Sequence, residues 1–207
     1  MTEPNGDPTE MTSTVSNDAL RDACAAWQDG RDGGSSPVRA AARVLTGTKH
    51  YFEASFIDRY EREASANALT MARARSLLDG LATSVTRDGA GWAAQTGFGS
   101  GWVGRGIASA PQDAEIDASL DTGFITMPLW GLSLDRDVAL SYGSRFLFEI
   151  EGPFPAIPAW EASGLKADER ELIAGGRYAV SGVTRAPEGA VVTLRFLELV
   201  RPCLAAS

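Results

Sequence analysis

Glu169, Arg170 and Glu171 lead into the apolar pair Leu172-Ile173, so two carboxylates stand two residues apart at the start of a strand-like run. A strand turns successive side chains to opposite faces. On that geometry Glu169 and Glu171 project together and Arg170 points away, whereas a helix would splay the two acids apart. Two carboxylates then look into one site. Two upstream segments add to them, Trp102-Val103-Gly104-Arg105-Gly106 and Trp130-Gly131-Leu132-Ser133. Arginine, serine and paired glutamate in that order point to chemistry on a phosphorylated sugar nucleotide.

Short β-like runs must position these groups. They are Trp102-Val103, residues 124–127, 146–150, 178–180 and 191–197, each broken off by Gly or Pro. One helix interrupts them, from about Asp135 to Tyr142. Residues 152–158, with three prolines, cannot join a central strand and predict a stiff loop before the glutamates. Ahead of the strands the texture is helical. Asn17 or Asp18 can cap a helix through Gln28, a turn-rich linker covers 31–36, and Pro37 opens a second helix to about Leu45. Residues 51–63, with Phe52, Phe56 and Tyr60 four apart, and 64–81, with Leu69, Leu77, Leu78 and Leu81, predict two more helices. The β pattern is expected to begin past Gly80. Residues 1–16 are polar and predict a mobile tail. The expectation is one α+β domain over 17–207, mainly helical to 85 and mainly β from 86 to 207.

The chain has 207 residues, 44% hydrophobic and 22% charged, enough for one well-cored domain. Its formal net charge of -8 argues against non-specific binding to nucleic acid or an anionic membrane, both of which need a basic footprint. Cys24 and Cys203 lie near opposite ends and form no CxxC pair, so neither a zinc site nor a disulfide framework is indicated, and buried free thiols fit a reducing cytosol. No apolar run reaches the length of about 18 residues needed to span a bilayer. The first residues are acidic and polar where a secretory signal would be basic and then apolar.

The three motifs resemble the arginine, serine, Glu-x-Glu signature of the arginine-specific mono-ADP-ribosyltransferases, a family that includes bacterial toxins and phage-encoded modifiers of host RNA polymerase. Val103-Gly104-Arg105-Gly106 is similar to the family's aromatic-x-Arg-Gly strand end. Gly131-Leu132-Ser133 followed by residues 135–142 is similar to its Ser-Thr-Ser strand end and helix, although Ser133 is the only hydroxyl kept. Residues 146–153 resemble the apolar strand that ends near a proline, and residues 169–178 the Glu-x-Glu block with its following glycine and closing strand. GRG and ExE are common singly; order, spacing and strand context carry the resemblance.

The resemblance implies N-terminal helices packed on a two-sheet β core with an NAD cleft between the sheets, with NAD consumed as substrate and no metal. It implies that Glu171 acts through the ribose 2′-hydroxyl, that Ser133 orients Glu171, and that Arg105, followed by Gly106, holds NAD phosphate. Nicotinamide leaves a cationic N-glycoside as a neutral ring, so the energetic problem is the oxocarbenium-like ribose, which a carboxylate stabilises. Glu169 is implied to orient an attacking guanidinium, whose pKa above about 12 requires a carboxylate to help take its proton. The implied partner is a target protein with a reactive arginine, with a cognate immunity protein or inhibitor as a further candidate. The implied setting is a bacterial or infected-cell cytosol, or delivery to a target cell without a signal peptide.

Other readings stay open beside these. Glu169 and Glu171 could be a solvated strand edge, Arg105 a turn residue between glycines, and Ser133 a helix cap, an orienting group or both. Trp160 reads equally as core packing or acceptor recognition. His50, the single histidine, reads as a helix-start or surface residue; it lacks the surroundings of the polymerising His-Tyr-Glu class, and one histidine cannot make a histidine-rich metal site. An NAD glycohydrolase, and a non-catalytic NAD- or protein-binding module of the same fold, are the alternative functions.

Overall fold

The computed structural model describes residues 17–29, 38–39, 71–105, 117–118, 120–187 and 189–200. The expected tail, the linker over 31–36, the helix over 51–63, His50, Gly106 and Cys203 lie outside them, as does most of the expected helix from Pro37. The described elements are α1 (Asn17–Gln28), α2 (Met71–Thr96), β1 (Ser100–Arg105), β2 (Phe124–Ser133), α3 (Arg136–Ser141), β3 (Phe146–Glu151), β4 (Ala156–Pro158), α4 (Ala159–Ser163), β5 (Glu171–Ala186) and β6 (Gly189–Glu198). Helices precede strands, giving the α+β architecture expected from the sequence. No helix among the described residues is long and apolar enough to cross a membrane.

In α1 the apolar positions Leu20, Ala23, Cys24 and Trp27 recur at three- and four-residue steps and face inward. The next described helix, α2, departs from expectation by running through Gly80 to Thr96. Each glycine in a helix interior costs only up to about 1 kcal/mol, and this helix passes through Gly80, Gly89 and Gly91. Burial of Leu78, Leu81 and Val85 on one face outweighs these costs at roughly 1.5–3 kcal/mol for each large apolar side chain.

The strands form one mixed sheet in the order β2-β1-β3-β6-β5-β4, and β2 also pairs with β5. The β3–β6 pair is parallel and the others antiparallel. With β2 bridging β1 and β5, the sheet wraps around an apolar interior that includes Trp130, Leu132, Phe148, Leu172, Ala174 and Leu194. The expected loop over 152–158 ends in strand β4, which among the described residues pairs only with β5. Its prolines therefore stay at an edge, where a missing N–H costs no ladder bond.

A second apolar layer lies between the helices and the sheet's outer side, where Leu129, Ile157 and Ile173 meet Ala23, Trp27, Leu78 and Leu81. Strand β5 is buried on both faces at its start. Leu172 and Ala174 enter the wrapped interior, and Ile173 faces the helical layer. Glu171 shares the parity of Ile173, which turns it toward α1.

Candidate active site

Strand β5 starts at Glu171, and Glu169 lies in the turn over 167–170. The shared strand face expected for the two glutamates does not form. Arg170 has a left-handed φ of 44° and Lys166 one of 48°, so the chain turns where extension was expected. The two carboxylates still lie close enough for the charge on Glu169 to act on Glu171.

The turn is fastened to the end of β2. Ser133 stands opposite Glu171 in the β2–β5 ladder. Its hydroxyl donates to the Glu169 carbonyl at 2.7 Å and accepts from the Asp135 N–H at 2.9 Å, and the Leu134 N–H donates to the Arg170 carbonyl at 3.2 Å. The hydroxyl expected to orient the Glu171 carboxylate thus serves the turn that carries Glu169. Capping of α3 falls to Asp135, whose carboxylate accepts from the Asp137 and Val138 N–H groups.

The Glu171 side chain is 7% exposed. Its Oε1 accepts from the indole Nε1 of Trp27 at 3.0 Å and from Nη2 of Arg39. Arg39 is itself anchored, since its Nε donates to the Trp27 carbonyl at 3.0 Å and its guanidinium lies 5.5 Å from the centre of the Trp27 ring. Oε2 has no hydrogen-bond partner among the described residues. A Cβ on Gly131 would run into Oε1, so the glycine makes room for the carboxylate.

Burial pushes the Glu171 carboxyl up from its ordinary value; Arg39 and the Trp27 N–H oppose that rise, Glu169 adds to it, and the result is upward. Gln28 also favours the charged form from beside the carboxylate. Its Nε2 makes no bond of full hydrogen-bond geometry among the described residues, while its Oε1 accepts from Ser163 at 2.6 Å. Burial, then the Glu171 charge, pushes the Cys24 thiol up to about 12, which keeps it protonated and unreactive at neutral pH.

Glu169 is held differently. Its side chain is 21% exposed, Oε1 meets the Lys166 ammonium at 3.0 Å, and Oε2 accepts from the Tyr142 hydroxyl at 3.0 Å. Burial, then the bond to Glu169, pushes the Tyr142 phenol up to about 12, so it remains a donor.

Arg105 is the last residue of β1, opposite Phe146 in the β1–β3 ladder. Gly104 before it lets α3 lie close on β1, because a Cβ there would run into the Ala139 carbonyl. Trp160 packs edge-on to Trp92, with 6.2 Å between ring centres, and against the wrapped interior. Sequence reasoning missed Trp27, Gln28, Arg39 and Lys166, and read Tyr142 only as an aromatic helix position. The apolar stripe of α1 did place Trp27 inward, and a buried indole N–H requires an acceptor. Arg39 carries no such signal.

No protein-family model matches this chain, and no curated protein matches it. Among solved structures the chain is similar to exoenzyme S from Pseudomonas aeruginosa, in a complex with human 14-3-3 protein beta bound to carba-NAD, at 14% identity over 87% of this chain and 88% of that one, with a TM-score of 0.48. It is similar to the Salmonella SpvB ATR domain at 10% identity over 88% and 98%, with a TM-score of 0.48. The C3 exoenzyme of Clostridium limosum aligns at 14% identity over 93% and 98%, with a TM-score of 0.46.

Proposed function

We propose that the protein is a mono-ADP-ribosyltransferase that moves ADP-ribose from NAD to an arginine of a target protein and releases nicotinamide. The observation that carries this reading is the meeting of two unlike carboxylates at the end of β2, one buried and one at the edge of solvent, in the segments that hold the arginine, serine, Glu-x-Glu order. Oε2 of Glu171, buried and without a hydrogen-bond partner among the described residues, fits a hydroxyl donor such as that of a ribose. Its negative charge stabilises the cation that develops as the bond from ribose to nicotinamide breaks, the bonding pair leaving with the neutral ring.

Glu169 faces outward enough to receive a guanidinium. As the guanidino nitrogen bonds to the ribose carbon it gives up a proton, and Glu169 is the base placed to take it. Ser133 sets the position of that base through the turn carbonyl. Arg105 is assigned to NAD phosphate on the motif alone, with Gly106 after it. Together with Glu169, Trp160 is the candidate for acceptor recognition, on the sequence reading alone.

The test is incubation with labelled NAD and a bacterial lysate, alongside a free guanidino compound such as agmatine. A transferase labels protein or agmatine. Release of ADP-ribose without labelling identifies a glycohydrolase, and no consumption of NAD identifies a binding module.

A further inference from the structure

Glu171 is reached across 144 residues of sequence by Trp27 and across 132 by Arg39, and both donate to the same oxygen. The second oxygen is buried too, and among the described residues no donor bonds it with hydrogen-bond geometry, although the Gln28 amide lies beside the carboxylate. Gly131 opens the space that lets the carboxylate sit in this orientation. We propose that Trp27 and Arg39 are positioning residues that lock Glu171 through Oε1 and reserve Oε2 as the oxygen that meets the substrate hydroxyl. The proposal deepens the transferase reading and rests on it for the identity of that hydroxyl.

The asymmetry is what marks the arrangement. A carboxylate held only for packing would gain by satisfying both oxygens, since a buried oxygen without a donor loses the hydrogen bonds it had in water. The two donors are also of different kinds. The indole N–H is rigid and directional, and the guanidinium brings a full charge, so one sets orientation and the other favours the ionised carboxylate. Other elements facing Glu171 add Gln28 and Cys24 from α1, Glu169 from the turn, and Tyr142 at the end of α3. Burial and the Glu169 charge favour the protonated acid; Arg39 is the full positive charge that opposes them.

The test combines a titration with kinetics. In protein labelled with ¹³C at the glutamate carboxyl, the Glu171 signal is identified by its loss in Glu171→Gln. Its midpoint should move to higher pH in Arg39→Gln and return toward wild type in Arg39→Lys, which keeps the charge. NAD cleavage should lose about tenfold or more in kcat in Arg39→Gln and Trp27→Phe, with KM for NAD changed by less than about twofold. The acid limb of the kcat profile should shift upward in Arg39→Gln. Gly131→Ala, whose Cβ would run into Oε1 beside the Trp27 N–H, should reproduce the kcat loss. A Glu171 midpoint unmoved in folded Arg39→Gln, or a loss confined to KM, overturns the proposal. If wild type cleaves no NAD the transferase reading fails, and the titration still decides whether Arg39 holds the carboxylate in its charged form.

Discussion

The partners of Glu171 come from 132 and 144 residues away, while those of Glu169, two residues earlier in the chain, lie 3 and 27 residues away. Glu171 is 7% exposed and held by an indole and a guanidinium from the N-terminal part; Glu169 is 21% exposed and held by an ammonium from its own turn and a tyrosine hydroxyl. Tertiary packing therefore fixes one carboxylate, and a local turn presents the other. The difference suits a division in which Glu171 is preorganised for a charge that develops in place and Glu169 exchanges its partner for an incoming cation.

Removing the buried carboxylate is the most severe way to test that division. Glu171→Gln should abolish NAD cleavage while the circular dichroism spectrum and cooperative melting persist. Losing a carboxylate that stabilises the transition state costs several kcal/mol, roughly a hundredfold or more in rate. Activity above about a tenth of wild type would remove Glu171 from the chemistry.

The second change separates the pair. Glu169→Gln should lose labelling of agmatine and protein yet keep slow NAD hydrolysis, because water needs less help than a guanidinium to attack. Nicotinamide release measured without acceptor, beside transfer of labelled ADP-ribose, reads both activities. Hydrolysis reduced as far as transfer would contradict separate roles for the two acids.

A smaller effect is expected at Lys166, whose ammonium binds Oε1 of Glu169, the carboxylate proposed to receive an acceptor cation. Lys166→Met should lower KM for agmatine by about two- to fivefold, the range set by a partly exposed ion pair of up to roughly 1 kcal/mol. A raised KM would show that Lys166 helps to receive the acceptor and does not compete with it.

The comparison also explains what could be read from the sequence. The five β-like runs and the helix from about Asp135 appear as strands and α3 because alternation, β-branched residues and a capping aspartate are local signals. The convergence of two carboxylates near Ser133 was legible from motif order. The geometry that brings Glu169 there was not, since a left-handed Arg170 is an uncommon backbone choice that residue type does not announce. Gly80 misled because punctuation by glycine is weaker than an apolar face extending past it. Arg39 was invisible because nothing in its local sequence shows that folding will bring it onto Glu171.

The smallest expected effect concerns stability, and it follows from the sign of the shift at Glu171. Burial outweighs the help from Arg39 and Trp27, so the folded-state pKa lies above the ordinary 4.5. Between that value and the raised one, the native protein keeps a proton that the unfolded chain has lost. Native protein then binds more protons than unfolded, and stability contributed by this group falls as pH rises through the window. Below the window wild type carries no such cost; above it the cost is complete. Glu171→Gln has no proton to lose at this position and escapes the fall. The melting temperature of the variant minus that of wild type should therefore increase as pH is raised from about 4.5 and level off above the raised pKa, with a total change of no more than a few degrees. Paired melting curves across pH measure the difference and cancel the carboxylates common to both proteins. A difference that stays flat would mean that Arg39 and Trp27 just balance burial, and one that moves in favour of wild type toward neutral pH that they more than offset it. In that second case Glu171 would strengthen the fold as its charge forms, and its placement would reflect stability as well as chemistry.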